Sequence, residues 1–383
     1  MKKLIFCLII FLFPICSYSQ FTRLILKNVK IIGGGDHVKK DWCCVTGEVI
    51  SRGNWKGGNI KLRWEVRTYY NQKNYEITMN LPSYSRKRFF IYSHIADSIS
   101  SSTLYVESQG VIINKQDVKA RTDYSKTLKI GYLTSDTNKN LFYLKVIKDY
   151  SPWYYADKNY YGYYSKYNAK LRQIEVDNLS KKILPLSWVG YRQFDMVVIT
   201  DEHNLSLRQL DALKKWVYSG GVLMIAPSNS LWLKQSKFIQ NFIPLHINKE
   251  NHHYINTPDS LKDRVPKLKK ILSCIPPAGV RHNYKNVLWR LRKGGGSIIY
   301  LGVDPAQDVA NSVKLWKDFI LPQIKNSLVY SRDWSGIERK VIEDKITRAL
   351  TTIVGKPDIW IILCFLLAYL IIICPVNFLY FMF

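Results

Sequence analysis

Alternating apolar and polar residues dominate the first third of the chain. Between residues 61 and 67, apolar residues occupy every even position and charged residues every odd position. A period of two is typical of a strand with one buried face and one face in water. Similar short runs, separated by turn residues, cover residues 43–50, 75–81, 87–92, 103–107 and 110–113. The pattern predicts that residues 20–125 form an immunoglobulin-like β-sandwich.

The pattern changes after residue 125, where apolar strands alternate with longer segments. Strands are expected at residues 128–133, 196–200, 222–226 and 297–301. Between the second and the third, Ser206 and Gln209 have the spacing of a capping box, and Gly220 and Gly221 end the helix that follows. Strand, helix, glycine turn and strand form one βαβ unit. Residues 126–330 are therefore expected to form a parallel sheet with flanking helices.

Both ends of the chain are apolar. Lys2 and Lys3 precede an apolar run and then Ser17-Tyr18-Ser19, which has small residues at the positions that a signal peptidase requires. This predicts a secretory signal peptide over residues 1–19 rather than an uncleaved anchor. No charged residue occurs between 359 and 383, which predicts a transmembrane helix over 358–383 after an amphipathic juxtamembrane linker at 331–357. The absence of basic residues beyond the span favours truncation of a longer chain over an unusual tail anchor. The expected location is the cell membrane, with a single pass and an exported ectodomain.

The charge of the chain indicates the kind of partner. There are 56 Lys and Arg residues against 29 Asp and Glu, which gives a formal net charge of +27. Since 47% of the residues are hydrophobic, the chain is expected to fold despite this charge. The excess favours membrane partners, such as anionic lipid head groups, or wall polymers, alongside envelope proteins. Nucleic acid is not expected as a partner of an exported protein.

The cysteines and glycines predict neither a disulfide framework nor a cofactor site. Cys43, Cys44 and Cys274 lie between the two apolar ends, and an odd number gives no complete set of pairs. Cys43 and Cys44 are adjacent and are expected on opposite faces of a strand. The glycines at 294–296 precede a strand rather than linking a strand to a helix, so the dinucleotide fingerprint is absent. No metal and no cofactor are expected.

A longer motif runs through the βαβ unit. Its residues are Tyr191-Arg-Gln-Phe-Asp195, the strand that ends at Asp201, Leu205-Ser206, Gln209, Ala212-Leu213, Trp216-Val217 and Gly220-Gly221. With these residues the chain resembles the class I glutamine amidotransferase-like superfamily. Within it, the chain is most similar to exported bacterial membrane proteins with an N-terminal β-sandwich and C-terminal transmembrane helices. The resemblance implies a flavodoxin-like α/β domain.

The resemblance also implies where a nucleophile would be expected. Active members carry a cysteine at a sharp turn between a strand and a helix. Here the turn after residues 222–226 reads Pro227-Ser228-Asn229-Ser230, and Cys274 precedes two prolines. The nucleophile that the resemblance implies is therefore missing, no catalytic residue is assigned from it, and an enzyme is not expected.

Two sets of residues remain as candidates. Asp201 and His203 follow a strand at the end where open α/β sheets place ligands, so a hydrolase that uses this pair is the catalytic alternative. The competing explanation is that Asp201 only satisfies loop backbone while Ser206 caps the helix. The candidate ligand-binding residues are Trp153, Tyr154 and Tyr155 in a tyrosine-rich segment, and Asp136, Asp201 and Ser228 after strands.

These features together predict a membrane-anchored, non-catalytic envelope protein. Its amidotransferase-like ectodomain is expected to bind a ligand or a partner protein. The alternatives are the hydrolase with Asp201 and His203, and a subunit of an envelope transport or assembly complex.

Overall fold

A computed structural model gives the structure of the chain. It describes residues 23–33, 37–39, 41–53, 55–95, 98–122, 127–136, 138–148, 173–201, 205–236, 252–264, 270–277, 282–283, 286–307 and 312–324, and the single residues 239, 242, 267 and 280. The chain divides into the units Met1–Ser331 and Arg332–Phe383, and the described residues all belong to the first. The predicted signal peptide, tyrosine-rich segment, juxtamembrane linker and transmembrane helix lie outside the described residues.

The described strands of the N-terminal part form three sheets. Its strands are β1 (Arg23–Ile31), β2 (His37–Val38), β3 (Trp42–Arg52), β4 (Gly58–Thr68), β5 (Gln72–Leu81), β6 (Arg86–His94), β7 (Ile99–Ser108), β8 (Val111–Asp117) and β9 (Arg121–Thr122). An antiparallel sheet has the order β1-β3-β6, a second has the order β5-β4-β7-β8, and β2 pairs with β9 in parallel. The two antiparallel sheets share one hydrophobic core.

Alternation along the strands decides which side chains enter that core. On β4, Leu62 and Trp64 are fully buried, and the Trp64 indole N–H donates to Ser102 Oγ at 2.6 Å. On β3, Cys43 belongs to the core between the two antiparallel sheets, whereas Cys44 belongs to the core on the other side of the three-stranded sheet. The prediction that these two cysteines face opposite sides is confirmed.

The second part is built on a seven-stranded sheet. Its strands and those of a separate ribbon are β10 (Thr127–Leu133), β11 (Gln173–Leu179), β12 (Met196–Ile199), β13 (Val222–Ile225), β14 (His252–Asn256), β15 (Lys270–Cys274), β16 (His282–Asn283), β17 (Leu288–Lys293) and β18 (Gly296–Leu301). The order is β11-β10-β12-β13-β18-β17-β16, and β14 and β15 form a separate two-stranded sheet. The pairs from β11 to β18 are parallel, and those of β17 with β18 and β16 are antiparallel.

The described helices are short. They are the 3₁₀ helices Phe142–Val146 and Trp188–Tyr191, the α-helices α1 (Leu207–Tyr218), α2 (Ser230–Gln235), α3 (Asp259–Lys262) and α4 (Val313–Leu315), and the π-helical turn Trp316–Ile320 that continues α4. Ser206 caps α1, because its Oγ accepts from the Gln209 N–H while Gln209 Oε1 accepts from the Ser206 N–H. The predicted capping box is therefore confirmed.

The predicted fold class, a flavodoxin-like parallel sheet of amidotransferase type with a sandwich before it and a transmembrane helix after it, is wrong. The seven-stranded sheet is mixed, because the turn at Gly294 and Gly295 returns β17 to β18 as an antiparallel hairpin. Gly294 has a φ of +58°, which suits this turn. Much of the described connection from β13 to β18 is also β-structure, where the prediction required helices over both faces of the sheet.

A transmembrane helix was also predicted. Within the residues that the structure describes, no helix is long and apolar enough to cross a membrane. The segment for which the prediction was made, 358–383, lies outside the described residues.

The three-stranded sheet packs directly against the seven-stranded sheet. Gln193 is fully buried between them, where its Oε1 accepts from the Lys39 N–H at 2.8 Å and its Nε2 donates to the Trp42 carbonyl at 2.9 Å. Beside it, Arg192 pairs with Asp41 at 3.0 Å. A hydrophobic core that includes Cys44 from one sheet and Trp216 from α1 fills the remaining space. The two parts thus form a continuous body with a cleft along their junction.

Candidate functional site

Asp201 ties together two loops at the carboxyl edge of the seven-stranded sheet. It directly follows β12 and Thr200, and its carboxylate accepts from the Thr134 hydroxyl at 3.0 Å and from the Ser135 N–H at 2.8 Å. Thr134 and Ser135 follow β10, the neighbouring parallel strand. Because parallel strands end at the same edge, the two loops meet there. The Asp201 side chain therefore connects the two loops through hydrogen bonds.

Asp304 forms the second acidic position at this edge. It follows β18 and is completely buried. Its carboxylate lies 2.9 Å from Lys139 Nζ and accepts from the Tyr132 hydroxyl at 3.3 Å and from the Ala306 N–H at 3.0 Å. Lys139 Nζ also lies 3.8 Å from the Asp201 carboxylate. A single ammonium group therefore faces two carboxylates from different strands.

Burial, hydrogen bonds and neighbouring charges together shift the pKa values of this cluster. Burial raises the pKa of Asp304 above 3.8, and the hydrogen bond and charge of Lys139 offset only part of this rise. For Lys139, burial lowers the pKa, but the hydrogen bond that Lys139 donates to Asp304 and the charges of Asp304 and Asp201 outweigh burial, so the pKa is raised. The pKa of the Tyr132 hydroxyl is also raised, by burial and then by the Asp304 charge. Lys139 is thus held as a cation.

The arrangement suits a structural role better than proton transfer. Asp201 Oδ1 already accepts two short hydrogen bonds, and Asp201 Oδ2 faces the ammonium of Lys139. The oxygens of this carboxylate are therefore already engaged by groups of the protein itself. Among the residues that the structure describes, no group of three or more His, Cys, Asp and Glu side chains could hold a metal ion.

The other predicted site residues at this edge make local contacts. Asp136 accepts from the Asn138 N–H at 2.9 Å, and its own N–H donates to Thr134 Oγ1 at 3.1 Å. Ser228 donates its N–H to the Thr200 carbonyl at 3.2 Å. The edge thus brings Asp136, Asp201 and Ser228 together. His203, Trp153, Tyr154 and Tyr155 lie outside the described residues.

The described cysteines are poorly suited to nucleophilic chemistry. Burial raises the pKa of Cys43 and of Cys274 to about 12, and the pKa of Cys44 is also raised, by burial and then by the charge of Cys43. A thiol with such a pKa forms little thiolate near neutral pH. At the turn after β13, Asn229 caps the short helix α2 by accepting from the Trp232 N–H at 2.8 Å. The residues of this turn therefore have a structural role.

Sequence reasoning did not find Lys139 or Tyr132. Lys139 stands in a polar loop, and Tyr132 stands inside an apolar strand, where it reads as a core residue. The sequence offered one signal, since Asp304 follows an apolar strand just as Asp201 does. Two acidic residues after strands of a predicted parallel sheet indicate a shared edge.

A second candidate is the cleft between the three-stranded sheet and the seven-stranded sheet. It has a volume of about 460 Å³ and is lined by residues from both parts, including Lys30, Arg88 and Lys182. Junctions between packed modules are common places for small ligands, and this volume is within the usual range of such sites. The cleft is separate from the carboxyl edge, because none of its lining residues belongs to the Asp201 and Asp304 cluster.

The comparisons with known proteins assign no family to this chain. No family model matches the chain, and no curated protein matches it. The resemblance to the amidotransferase-like superfamily therefore gains no family support from these comparisons.

The solved structures that are similar match weakly. They include a DNA glycosylase from Pseudomonas fluorescens (TM-score 0.21, 8% identity, 26% of this chain and 31% of that chain). An exo-β-1,4-mannosidase from an Opitutaceae bacterium matches with TM-score 0.24 and 13% identity over 54% of this chain and 36% of that chain. A β-galactosidase from Bacillus circulans matches with TM-score 0.27 and 10% identity over 53% and 31%. The chain spans about a third of the length of these structures, and scores this low support no inference about activity.

Proposed function

We propose that the chain is a non-catalytic binding protein of the cell envelope that recognises an anionic wall polymer. The observation that supports the non-catalytic part of the proposal is that the polar groups at the carboxyl edge are already bonded to one another. Asp201 is held by Thr134 and Ser135, and Asp304 by Lys139 and Tyr132. Groups that are bonded to one another hold the loops in place, and they are not free to activate a substrate.

The charge of the chain supports an anionic ligand. Basic residues outnumber acidic residues by nearly two to one, and the formal net charge is +27. A field of this sign attracts polyanions and raises the rate at which they associate. The pattern of the first 19 residues supports export, where acidic polymers of the envelope are the matching partners.

Binding of a labelled acidic polymer by the full chain tests the proposal. Polygalacturonate serves as the acidic probe and dextran as the neutral control, and fluorescence anisotropy at low salt reports binding. We expect polygalacturonate to bind and dextran to remain free. Equal binding of both polymers, or binding of neither, would contradict the proposal.

The same samples separate binding from catalysis. We expect polygalacturonate to keep its length after long incubation with the chain, as measured by size-exclusion chromatography. Shortening of the polymer that is abolished by Asp201→Asn would replace the proposal with the hydrolase alternative. Anionic lipid vesicles are added as a third probe, and their preference over polygalacturonate would also contradict a polymer ligand.

A further inference from the structure

The cleft at the junction of the two sheets brings together three cations that are far apart in the sequence. Lys30 comes from β1, Arg88 from β6, and Lys182 from the segment after β11. Glu48 on β3 is the one carboxylate among the lining residues of this described cleft. Three cations therefore surround an opening of about 460 Å³ with a single acidic side chain beside them.

The neighbouring ion pairs leave this positive excess in place. Glu48 contacts Arg88 at 3.2 Å and also Arg86 at 3.7 Å, so a fourth cation shares its charge. Lys30 lies 3.5 Å from Asp177, whose other oxygen accepts from the Gly33 N–H at 3.1 Å. The positive charges outnumber the negative ones whether or not Arg86 and Asp177 are counted. An anion in the cleft would meet a favourable field.

A β-bulge builds one wall of the cleft. The pairing of β1 with β3 shifts between Lys27 and Lys30, and Asn28 adopts a φ of +53° there. Bulges turn side chains away from the regular alternation, and they are frequent beside binding sites. Asn28 and Lys30 both line the cleft. Asparagine tolerates this backbone conformation, and its side-chain amide adds a hydrogen-bond donor.

The pairing of β3 with β6 continues this wall along the three-stranded sheet. Thr46 pairs with Phe90, and Glu48 pairs with Arg88, so alternate residues of both strands face the seven-stranded sheet. Ser180 and Ile183 of the segment after β11 close the cleft from the other side. The lining therefore combines cations, neutral polar groups and a few apolar side chains. This mixture fits a small ligand that carries both hydroxyl groups and a negative charge.

From this geometry we infer that the cleft binds an acidic sugar, a hexose-sized ring that carries a carboxylate or a phosphate. The inference rests on the proposed function, since it assigns to this cleft the repeating unit of the anionic polymer. Arg88 and Lys182 hold the anionic group, because ammonium and guanidinium groups form strong hydrogen bonds with carboxylate and phosphate oxygens. Asn28 and Ser180 bond the ring hydroxyls.

Calorimetric titration of the full chain with three sugars tests the ligand class. Glucuronate supplies the carboxylate, glucose 6-phosphate supplies the phosphate, and glucose is the neutral control. We expect one or both acidic sugars to bind and glucose to give no heat of binding. The stronger of the two acidic sugars identifies the anionic group. Binding of glucose as strong as that of the acidic sugars overturns the inference.

A matched pair of variants tests the location. Lys182 lines the cleft, whereas its exposed neighbour Lys181 does not. We expect Lys182→Glu to weaken binding of the acidic sugar by about tenfold or more, and Lys181→Glu to change it less than about twofold. Lys182→Ala is a milder second variant, and circular dichroism confirms that each variant is folded. An equal effect at both positions overturns the inference.

Failure of the inference is distinguishable from failure of the proposed function. If polygalacturonate binds to the wild-type chain and to Lys182→Glu equally well, the polymer is recognised elsewhere and only the assignment to this cleft fails. If neither polygalacturonate nor an acidic sugar binds to the wild-type chain, both the proposed function and the inference fail.

Discussion

Lys139 donates to the buried carboxylate of Asp304 at 2.9 Å although the two residues are 165 positions apart in the sequence. The same ammonium group lies 3.8 Å from Asp201, so it balances two carboxylates at the ends of β12 and β18. A charge buried without a partner costs far more than an exposed one. Lys139 is therefore expected to hold this edge of the sheet together.

Removing the lysine tests that role. Lys139→Ala leaves Asp304 buried without its cation, and we expect a loss of about 2 to 4 kcal/mol in the free energy of unfolding. Lys148→Ala removes the same charge from an exposed position nearby and should change the free energy by less than about 0.5 kcal/mol. Urea unfolding of the full chain measures both. Equal effects of the two variants would contradict the structural role of Lys139.

The pH dependence of stability tests the environment of Asp304. Because burial raises its pKa above 3.8, the folded chain keeps a proton that the unfolded chain has already released. The contribution of this group to stability is therefore full at low pH and declines as pH rises through the raised pKa. Asparagine does not titrate, so the Asp304→Asn variant lacks this decline in stability.

The comparison of the two chains isolates that contribution. We expect the free energy of unfolding of Asp304→Asn, relative to the wild type, to increase from about pH 4 upward. Urea midpoints measured across this interval provide the curve. Parallel curves for the two chains would mean that the pKa of Asp304 is not raised in the folded state.

The thiols test the argument against a cysteine nucleophile. Cys43, Cys44 and Cys274 are buried, and their pKa values are raised by burial. We expect iodoacetamide to label them at least about 100-fold more slowly in the folded chain than in urea, because thiolate and access are both scarce. Peptide mapping by mass spectrometry follows each site. Rapid labelling of any of the three in the folded chain would contradict the argument against a cysteine nucleophile.

The junction between the sheets depends on Gln193. Gln193→Ala leaves the Lys39 N–H and the Trp42 carbonyl without their side-chain partner, and we expect a cost of about 1 to 3 kcal/mol. Since the same junction forms the cleft, binding of the acidic sugar should weaken as well. Calorimetry of this variant checks the binding, and urea unfolding checks the stability. An unchanged free energy of unfolding would contradict the anchoring role.

Local patterns predicted many elements of this fold. The alternation at residues 61–67 lies within β4, and the capping box at Ser206 opens α1 as expected. The same patterns did not predict the direction of each strand relative to its neighbours, because an apolar run looks alike in a parallel and in an antiparallel strand. The strand β17 runs antiparallel to β18, so the sheet is mixed where an all-parallel sheet was expected.

The site could be predicted only in part for a similar reason. Asp201 stood out because it follows an apolar strand that the sequence shows plainly. Lys139 and the cleft residues Lys30, Arg88 and Lys182 did not, because each lies in an unremarkable segment and becomes meaningful only when the sheets pack together. The spacing of these residues along the sequence does not show which of their side chains come together in the folded chain.

The salt dependence of polymer binding tests the central claim most directly. Anisotropy of labelled polygalacturonate is measured with the full chain at increasing sodium chloride, from about 20 mM to about 300 mM, over which the screening length shortens severalfold. If binding depends on the positive field, affinity falls by at least about tenfold over this range while dextran stays unbound throughout. Affinity for polygalacturonate that is unchanged by salt would contradict the account.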